Sequence, residues 1–348
     1  EVVEKGIASG LLEAGANLRS AFCGPCFGAG DVPFNGGFSI RHTTRNFSNR
    51  EGSRPKSGQL ASVALMDALS IAATAANKGL LTPATQWEGS FTKHQYHFNP
   101  KLYENRVLNC FGKPDKSVEL VKGPNIKDIP VIPGLKEDLL LKVSAVLTDP
   151  VTTTDELIPG GESSSYRSNL LKLAEYALSA REPQYVGRCK EIQKWESALM
   201  AGDNPFETEE ELKTAAEYLK SRGLSLQTDK TCVGSVLYAN KPGDGSAREY
   251  AATCQRVIGG WANICREYAT KRYRSNLINW GILPFTFQGE PCFKTGSLLW
   301  VPGIRKVLES GGSEAEAFVI PESREEKPEK ITLSLRTLGE TERRILLE

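Results

Sequence analysis

The chain has 348 residues, which is enough for about two domains. It carries 43 Lys and Arg against 42 Asp and Glu, and this balance argues against a dedicated nucleic-acid-binding or membrane-surface protein. Its eight cysteines are too sparse for a secreted disulfide scaffold. We therefore expect a reducing compartment, no nucleic-acid partner and no membrane contact.

Residues 1–82 are predicted to be α/β material. Residues 1–14 have helical periodicity, and because the chain begins inside that pattern we expect it to be a piece of a longer protein. Residues 38–43 are β-like. An Ala-rich helix is predicted from Gln59 to Ala76, closed by Gly79.

Residues 83–136 are rich in Pro, Asn and Lys and are predicted to form a long linker lying on a surface. Residues 137–348 alternate predicted strands and helices, which indicates a second α/β domain. Its predicted elements are a strand at 139–147, a helix at 208–221 with Thr208 as N-cap, a strand at 232–239, helices at 246–258 and 266–277, strands at 283–287, 317–320 and 330–335, and a last element from 341.

The segment Cys23-Gly24-Pro25-Cys26 can hold one soft metal centre, because two thiolates at this spacing lie in a turn rich in Gly and Pro. A redox pair or a structural turn is the alternative, but a redox pair is expected at a helix N-terminus, and residues 28–33 cannot start a regular helix. A zinc site would need a second pair, for which His94 and His97 are the candidates, in what is more simply a solvated loop.

Arg45 and Arg50 follow about twenty positions after the cysteine pair. A guanidinium pairs with a carboxylate through two hydrogen bonds and stays charged, so two nearby arginines can clamp a substrate's carboxylates. A solvated surface charge is the alternative for any single arginine. A metal–sulfur centre beside an anion clamp predicts Lewis-acid chemistry on a carboxylic acid.

Three further motifs lie in the second domain: Thr153–Pro159, Gly243–Glu249 and Leu283–Phe287. Ser246 and Glu249 also have the spacing of a capping box, so a helix cap is an alternative role for Ser246. An Asp that bonds its own turn is the alternative role for Asp155.

In this order, the motifs resemble the aconitase superfamily over about residues 1 to 348. The cysteine pair, the Arg45–Arg50 segment and the Ala-rich helix resemble the end of that family's third domain. Residues 137–348 resemble its mobile C-terminal swivel domain. The resemblance implies an α/β fold: the remainder of an aconitase-type cluster-binding α/β domain at 1–82, the linker at 83–136 and an α/β swivel domain at 137–348.

The resemblance also implies an iron–sulfur hydro-lyase that isomerises a hydroxy-tricarboxylate, citrate to isocitrate through cis-aconitate, by dehydration and rehydration. Cys23 and Cys26 match two of the three ligands of a 4Fe–4S cluster. The third ligand and the first two domains belong upstream of this chain, so we expect the chain alone to be inactive. The implied partners are a small carboxylic acid and those N-terminal domains, in the cytoplasm or, in a eukaryote, the mitochondrial matrix.

By resemblance, Ser246 is the base that removes a proton next to a carboxylate, and Asp155 orients a proton-carrying group in the missing half. The arginines that match the family's carboxylate-binding set are Arg45, Arg50, Arg167 and Arg248. Arg167 favours a tricarboxylate, because isopropylmalate dehydratases generally lack it.

Two positions depart from the family pattern: Thr44 stands where the family has Asn, and Ala247 where it has a second Ser. Both belong near the substrate's carboxylates. A homoaconitase- or methylisocitrate-type dehydratase is therefore an alternative, and a non-catalytic aconitase-like binding protein is another.

Overall fold

The computed structural model of the chain describes residues 1–20, 32–42, 53, 58–89 and 95–348. Contacts between residues divide the chain into two compact units, Glu1–Asp115 and Lys116–Glu348. None of the helices in these described residues is both long and apolar enough to cross a membrane.

The described part of the first unit holds short helices and a pair of parallel strands, in which Phe38 lies opposite Ser62. Its elements are α1 (Ile7–Glu13), β1 (Phe38–Arg41), β2 (Ser62–Leu65), α2 (Ala68–Ala76), a 3₁₀ turn (Ala84–Gln86) and α3 (Lys101–Glu104).

The predicted helix from Gln59 to Ala76 is wrong over its first half. That half contains β2, whose backbone pairs with β1. The Asp67 carboxylate accepts the Ser70 N–H at 2.9 Å and thereby N-caps α2, so the helix begins only after Asp67. The predicted end is confirmed, because Asn77 is the C-cap and Gly79 follows with a φ of +89°.

The second unit contains an α/β domain, and its fold class confirms the prediction. Its elements are β3 (Asp138–Leu147), β4 (Thr152–Thr153), α4 (Thr154–Leu157), a 3₁₀ helix (Gly161–Tyr166), α5 (Leu170–Ala174), α6 (Tyr185–Ala201), α7 (Pro205–Thr208), α8 (Glu210–Ser221), a 3₁₀ turn (Thr228–Lys230), β5 (Thr231–Ala239), β6 (Pro242–Asp244), α9 (Arg248–Val257), β7 (Gly260–Cys265), α10 (Lys271–Asn279), β8 (Leu283–Thr286), β9 (Leu298–Val301), α11 (Ile304–Glu309), β10 (Glu314–Ile320), β11 (Glu329–Ser334) and α12 (Glu340–Leu347).

Within residues 116–348, all of which are described, seven strands close a barrel in the order β10-β11-β8-β7-β5-β3-β9. Strands β3, β5, β7 and β8 are parallel neighbours, and β9, β10 and β11 complete the barrel through antiparallel pairs. Parallel neighbours need crossover connections, which the helices between these strands provide. All seven strands contribute side chains to one shared apolar core.

A bulge in β3 redirects its side chains. Before it, the alternate residues Leu139, Leu141 and Val143 belong to the barrel core. The register with β5 shifts after Val143, and from there Ala145 and Leu147 belong instead to the core formed with α5, α6, α9 and α10. An extra residue in one strand reverses which face each later side chain occupies. The end of β3 is thus packed against the helices that carry the candidate site.

Two predicted helix starts need correction. Thr208 is not the N-cap of α8, because it ends α7 and α8 begins after Glu209. The helix predicted from residue 266 begins at Lys271, where Thr270 Oγ1 accepts the Tyr273 N–H at 3.2 Å.

Candidate active site

Two short parallel strands bring distant motifs to one edge. Strand β4 pairs with β6, with Thr152 opposite Pro242 and Thr153 opposite Asp244. Because the two strands are parallel, the residues that follow them leave from the same end. Asp155 and Ser246 each follow within two residues of these strands, so the pairing brings the segments that carry these two predicted residues together.

The turn after β6 depends on two glycines. Gly243 has a φ of +94°, and a Cβ there would lie 2.3 Å from the Tyr273 ring. Gly245 has a φ of +128°, and a Cβ there would lie 2.1 Å from Thr154 Oγ1. Both positions combine left-handed backbone with close approach, which glycine accommodates without strain. The Gly-x-Gly spacing therefore shapes the backbone that leads into Ser246.

Helix α9 starts directly after this turn, with Ala247 as its N-cap. The Ala247 N–H donates to Thr154 Oγ1 at 3.3 Å. Ser246 is exposed one position before the N-cap. Its place at the positive end of the helix dipole favours negative charge.

The capping-box alternative for Ser246 is not what the structure has. The N-cap is Ala247, and the Glu249 carboxylate is directed to α10, where it accepts the Trp280 Nε1–H at 2.6 Å and a hydrogen bond from the Asn276 amide. Glu249 thereby ties the first turn of α9 to α10.

The capping box of this region belongs to α4. Thr153 Oγ1 accepts the Glu156 N–H at 3.3 Å, and Glu156 Oε2 accepts the Thr153 N–H at 2.8 Å. Arg181 Nε lies 3.2 Å from Glu156 Oε1. Asp155 lies exposed within this capped turn, and the cap itself is formed by its neighbours.

Arg167 approaches the same helix from another side. It is exposed and follows the 3₁₀ helix Gly161–Tyr166. Its guanidinium carbon lies 5.6 Å from the centroid of the Tyr250 ring, within cation–π range. Arg248, half-buried, is the first residue of α9. The guanidinium groups of Arg167 and Arg248 therefore both lie near the first turns of α9.

The structure thus gathers four of the eight predicted site residues around the N-terminus of α9: Asp155, Arg167, Ser246 and Arg248. The other four lie outside the described residues: Cys23, Cys26, Arg45 and Arg50. Sequence reasoning missed Thr154 and Tyr250 as contributors. Thr154 lay within a quoted motif, but its contact with Ala247 joins positions 93 apart and has no local signal.

Among the described residues, no group of three or more His, Cys, Asp and Glu side chains could hold a metal ion. Burial raises the pKa of Cys232 to about 11 and of Cys254 and Cys265 to about 12. Burial also raises the pKa of Cys189. None of these buried thiols belongs to such a group of possible ligands in the described part of the chain. Cys23 and Cys26 stay the predicted ligands.

Comparison with known proteins matches two family models to the chain. The model described as the aconitase family (aconitate hydratase) matches residues 1–73, and the aconitase C-terminal domain model matches residues 205–290. The chain is similar to the C-terminal portion of the aconitase superfamily. The first range contains Cys23 and Cys26, and the second contains Ser246.

Similar curated proteins carry aconitase-type names. Mitochondrial homocitrate dehydratase of Saccharomyces cerevisiae is 25% identical over 312 residues, which cover 82% of this chain and 36% of that protein. Mitochondrial aconitate hydratase of Arthroderma benhamiae is 26% identical over 296 residues, covering 80% and 35%. Mitochondrial homoaconitase of Candida glabrata is 28% identical over 227 residues, covering 65% and 30%. The chain spans about a third of the length of these relatives.

Among solved structures, a 3-isopropylmalate dehydratase (leuD) of Methanocaldococcus jannaschii matches with a TM-score of 0.35 and 18% identity. The match covers 60% of this chain and 87% of that one. A likeness this low carries no argument about function.

Proposed function

We propose that this aconitase-family chain is the C-terminal part of a hydro-lyase that isomerises a hydroxy-tricarboxylate by dehydration and rehydration. The observation that carries the proposal is the gathering of Ser246, Arg248, Asp155 and Arg167 around the N-terminus of α9. A serine, an acid and two arginines at the positive end of a helix suit proton removal from an anionic substrate.

The arginines bind the substrate in this proposal. Arg167 and Arg248 pair with substrate carboxylates near the N-terminus of α9. Arg45 and Arg50, which lie outside the described residues, are assigned to carboxylate binding by the resemblance alone. Bidentate pairing fixes the orientation of a carboxylate as well as its position. Four such groups match a substrate with several carboxylates better than one with a single carboxylate.

Ser246 acts as the base. Its deprotonated oxygen takes the proton from the carbon next to a carboxylate, and the electron pair of the broken C–H bond moves toward that carboxylate. The dipole of α9 and the Arg248 charge stabilise both the serine alkoxide and the enolate-like acid that forms. That electron pair then forms a carbon–carbon double bond as the bond to the hydroxyl on the neighbouring carbon breaks, and the hydroxyl takes up a proton and leaves as water. Asp155 orients the group that protonates it, which belongs to the part of the protein before Glu1.

When bound, a 4Fe–4S cluster supplies a Lewis acid that eases departure of the hydroxyl. Cys23 and Cys26 would provide two of its thiolates, and the third would come from upstream of this chain. This assignment is supported by the arrangement of the described residues, among which no group of three or more His, Cys, Asp and Glu side chains could hold a metal ion.

The proposal also covers which tricarboxylate is the substrate. Citrate and isocitrate are the first candidates, and homocitrate or methylcitrate are the alternatives. Ala247 supports the alternatives, because it leaves the N-cap of α9 without the hydroxyl that a serine would offer a substrate carboxylate. Two of the relatives, a homocitrate dehydratase and a homoaconitase, are named for homologous acids and support the same alternatives.

We infer a reducing compartment from the cysteine pattern, either the cytoplasm or the mitochondrial matrix. The mitochondrial names of the three relatives favour the matrix. The partners in this proposal are a small tricarboxylic acid and the N-terminal domains of the same protein.

A substrate panel tests the proposal. The full-length protein, purified without oxygen, is mixed separately with citrate, homocitrate, methylcitrate and isopropylmalate, and formation of the unsaturated acid is followed by ultraviolet absorbance. We expect turnover of at least one tricarboxylate and little of isopropylmalate. No turnover of any acid in a protein that holds its cluster would contradict the proposal and favour a non-catalytic binding protein.

The cluster assignment is tested separately by iron and sulfide analysis of the same preparation. We expect about one 4Fe–4S cluster per protein, lost in the Cys23→Ser/Cys26→Ser double variant. A full cluster in that variant would refute the assignment of the two ligands. Stoichiometric zinc in place of iron would indicate a structural metal site.

A further inference from the structure

One buried hydroxyl lies between the two segments that carry Asp155 and Ser246. Thr154 is fully buried and is the first residue of α4. Its Oγ1 accepts the Ala247 N–H at 3.3 Å. We propose that Thr154 is a positioning residue that holds the Gly245–Ala247 turn, and with it the backbone of Ser246, in the geometry that proton removal needs. This inference rests on the proposed function.

The hydrogen bond satisfies a helix-terminal amide from outside the helix. The first N–H groups of any helix have no intrahelical acceptor, and an N-cap side chain usually serves one of them. Ala247 has no side-chain oxygen, so α9 has no such cap of its own. Thr154 supplies a side-chain oxygen to this terminus from a separate element, at the N–H of the N-cap residue itself.

The same hydroxyl packs against Gly245. A Cβ at that position would lie 2.1 Å from Thr154 Oγ1. No other residue type could allow this approach without displacing one of the two segments. Position 245 therefore lets the turn sit directly on the Thr154 hydroxyl.

Thr154 is itself held firmly. Its predecessor, Thr153, forms the capping box with Glu156, and Arg181 pairs with Glu156. The pairing of β4 with β6 fixes the two backbones just before the contact. Since Asp155 adjoins Thr154 and Ser246 adjoins Ala247, this one hydrogen bond couples the positions of both proposed catalytic groups.

The chain offers a matched set of variants. Thr154→Val keeps the shape and removes the acceptor, whereas Thr154→Ser keeps a hydroxyl. Thr152→Val is the control, because the Thr152 side chain is buried two positions earlier and its Oγ1 has no hydrogen-bond partner among the described residues. If Thr154→Val does not fold, Thr154→Ala removes the same acceptor without adding bulk.

Hydrogen exchange at the Ala247 amide of this chain, measured by NMR, reads the contact directly. We expect exchange about fivefold faster or more in Thr154→Val, as loss of one hydrogen bond implies, and no change in Thr154→Ser or Thr152→Val. Unchanged exchange in Thr154→Val, or equal acceleration in Thr152→Val, would overturn the inference.

Turnover by the full-length protein then separates positioning from general stability. In Thr154→Val we expect kcat to fall by about 10- to 100-fold with little change in KM, and Thr154→Ser to recover most of it. Normal kcat despite faster exchange would overturn the positioning role and leave the proposed function standing. A wild-type protein without hydratase activity would overturn the proposed function, and the catalytic part of this inference with it.

Discussion

Replacing Glu196 by Gln should remove a pH dependence from the stability of this chain. Glu196 lies on α6 and is 7% exposed. Burial raises the pKa of its carboxyl from 4.5 to about 7, although the Arg256 charge and the hydrogen bond donated by Trp261 Nε1 oppose the shift. The group therefore holds its proton in the folded state over a pH range in which the unfolded chain has lost it.

The sign and size of the effect follow from this difference. Between pH 4.5 and about 7 the folded state binds more protons, so the free energy of unfolding falls as pH rises through that window and levels off above it. From about pH 5 to about pH 8 the Glu196 contribution to this fall is about 2 to 3 kcal/mol. For a unit of this size that corresponds to roughly 4 to 12 °C in the melting temperature.

Urea unfolding at several pH values, followed by circular dichroism, measures the effect. Glu196→Gln stays neutral, so it should match wild type most closely near pH 5 and be the more stable protein near pH 8, with the gap widening by about 2 to 3 kcal/mol. Glu191→Gln removes an exposed carboxylate from the same helix and serves as control. A gap between Glu196→Gln and wild type that does not change with pH would refute the reasoning.

Three further predictions concern the α9 region. Gly245→Ala should lower the free energy of unfolding by about 2 to 4 kcal/mol, because the new Cβ is strained at positive φ and overlaps Thr154. Gly202→Ala, also at positive φ but with open space around it, should lower it by only about 1 kcal/mol. Urea unfolding midpoints compare the two variants, and equal losses of stability would contradict the close approach of Gly245 to Thr154. Arg167→Lys in the full-length protein keeps the positive charge but loses bidentate pairing, so kcat/KM should fall by about tenfold more for a tricarboxylate than for a dicarboxylate. Equal reductions of kcat/KM for both substrates would mean that Arg167 does not bind the third carboxylate. Tyr250→Leu should raise KM for the tricarboxylate by about two- to fivefold, because it removes the aromatic ring that the Arg167 guanidinium contacts. Tyr250→Phe keeps the ring face and should leave KM near wild type. A normal KM in the Leu variant would show that the Tyr250 ring does not help to position Arg167.

The bounds of secondary-structure elements were predicted most accurately from the sequence where burial alone decides the structure. Strands β3 and β5 are mostly apolar and mostly buried, and both were predicted to within a residue at each end. The start of α2 was not predicted, because Ala-rich composition favours helix throughout residues 59–76 and only the pairing of β2 with β1 opposes it. No element was predicted for α6, whose buried stripe includes the acidic Glu196.

The candidate site likewise has features that the sequence predicts and features that it does not. The motifs around Asp155 and Ser246 could be recognised because each is local in sequence. Their proximity could not, because it depends on the pairing of two very short strands and on the Thr154 contact with Ala247. The spacing of Ser246 and Glu249 left a capping box as an alternative, but Glu249 accepts hydrogen bonds from α10 instead. A local sequence pattern does not show such long-range partners.

The central claim of the proposed function is that Ser246 acts as the base at the N-terminus of α9. Its most direct test is the rate at which the full-length Ser246→Ala variant forms the unsaturated acid from a tricarboxylate, compared with wild type at equal iron content. Because Ala247 is the N-cap, the variant should fold and hold its cluster normally, while turnover falls at least about hundredfold. Turnover within about twofold of wild type would contradict the account, because general-base catalysis contributes far more than that.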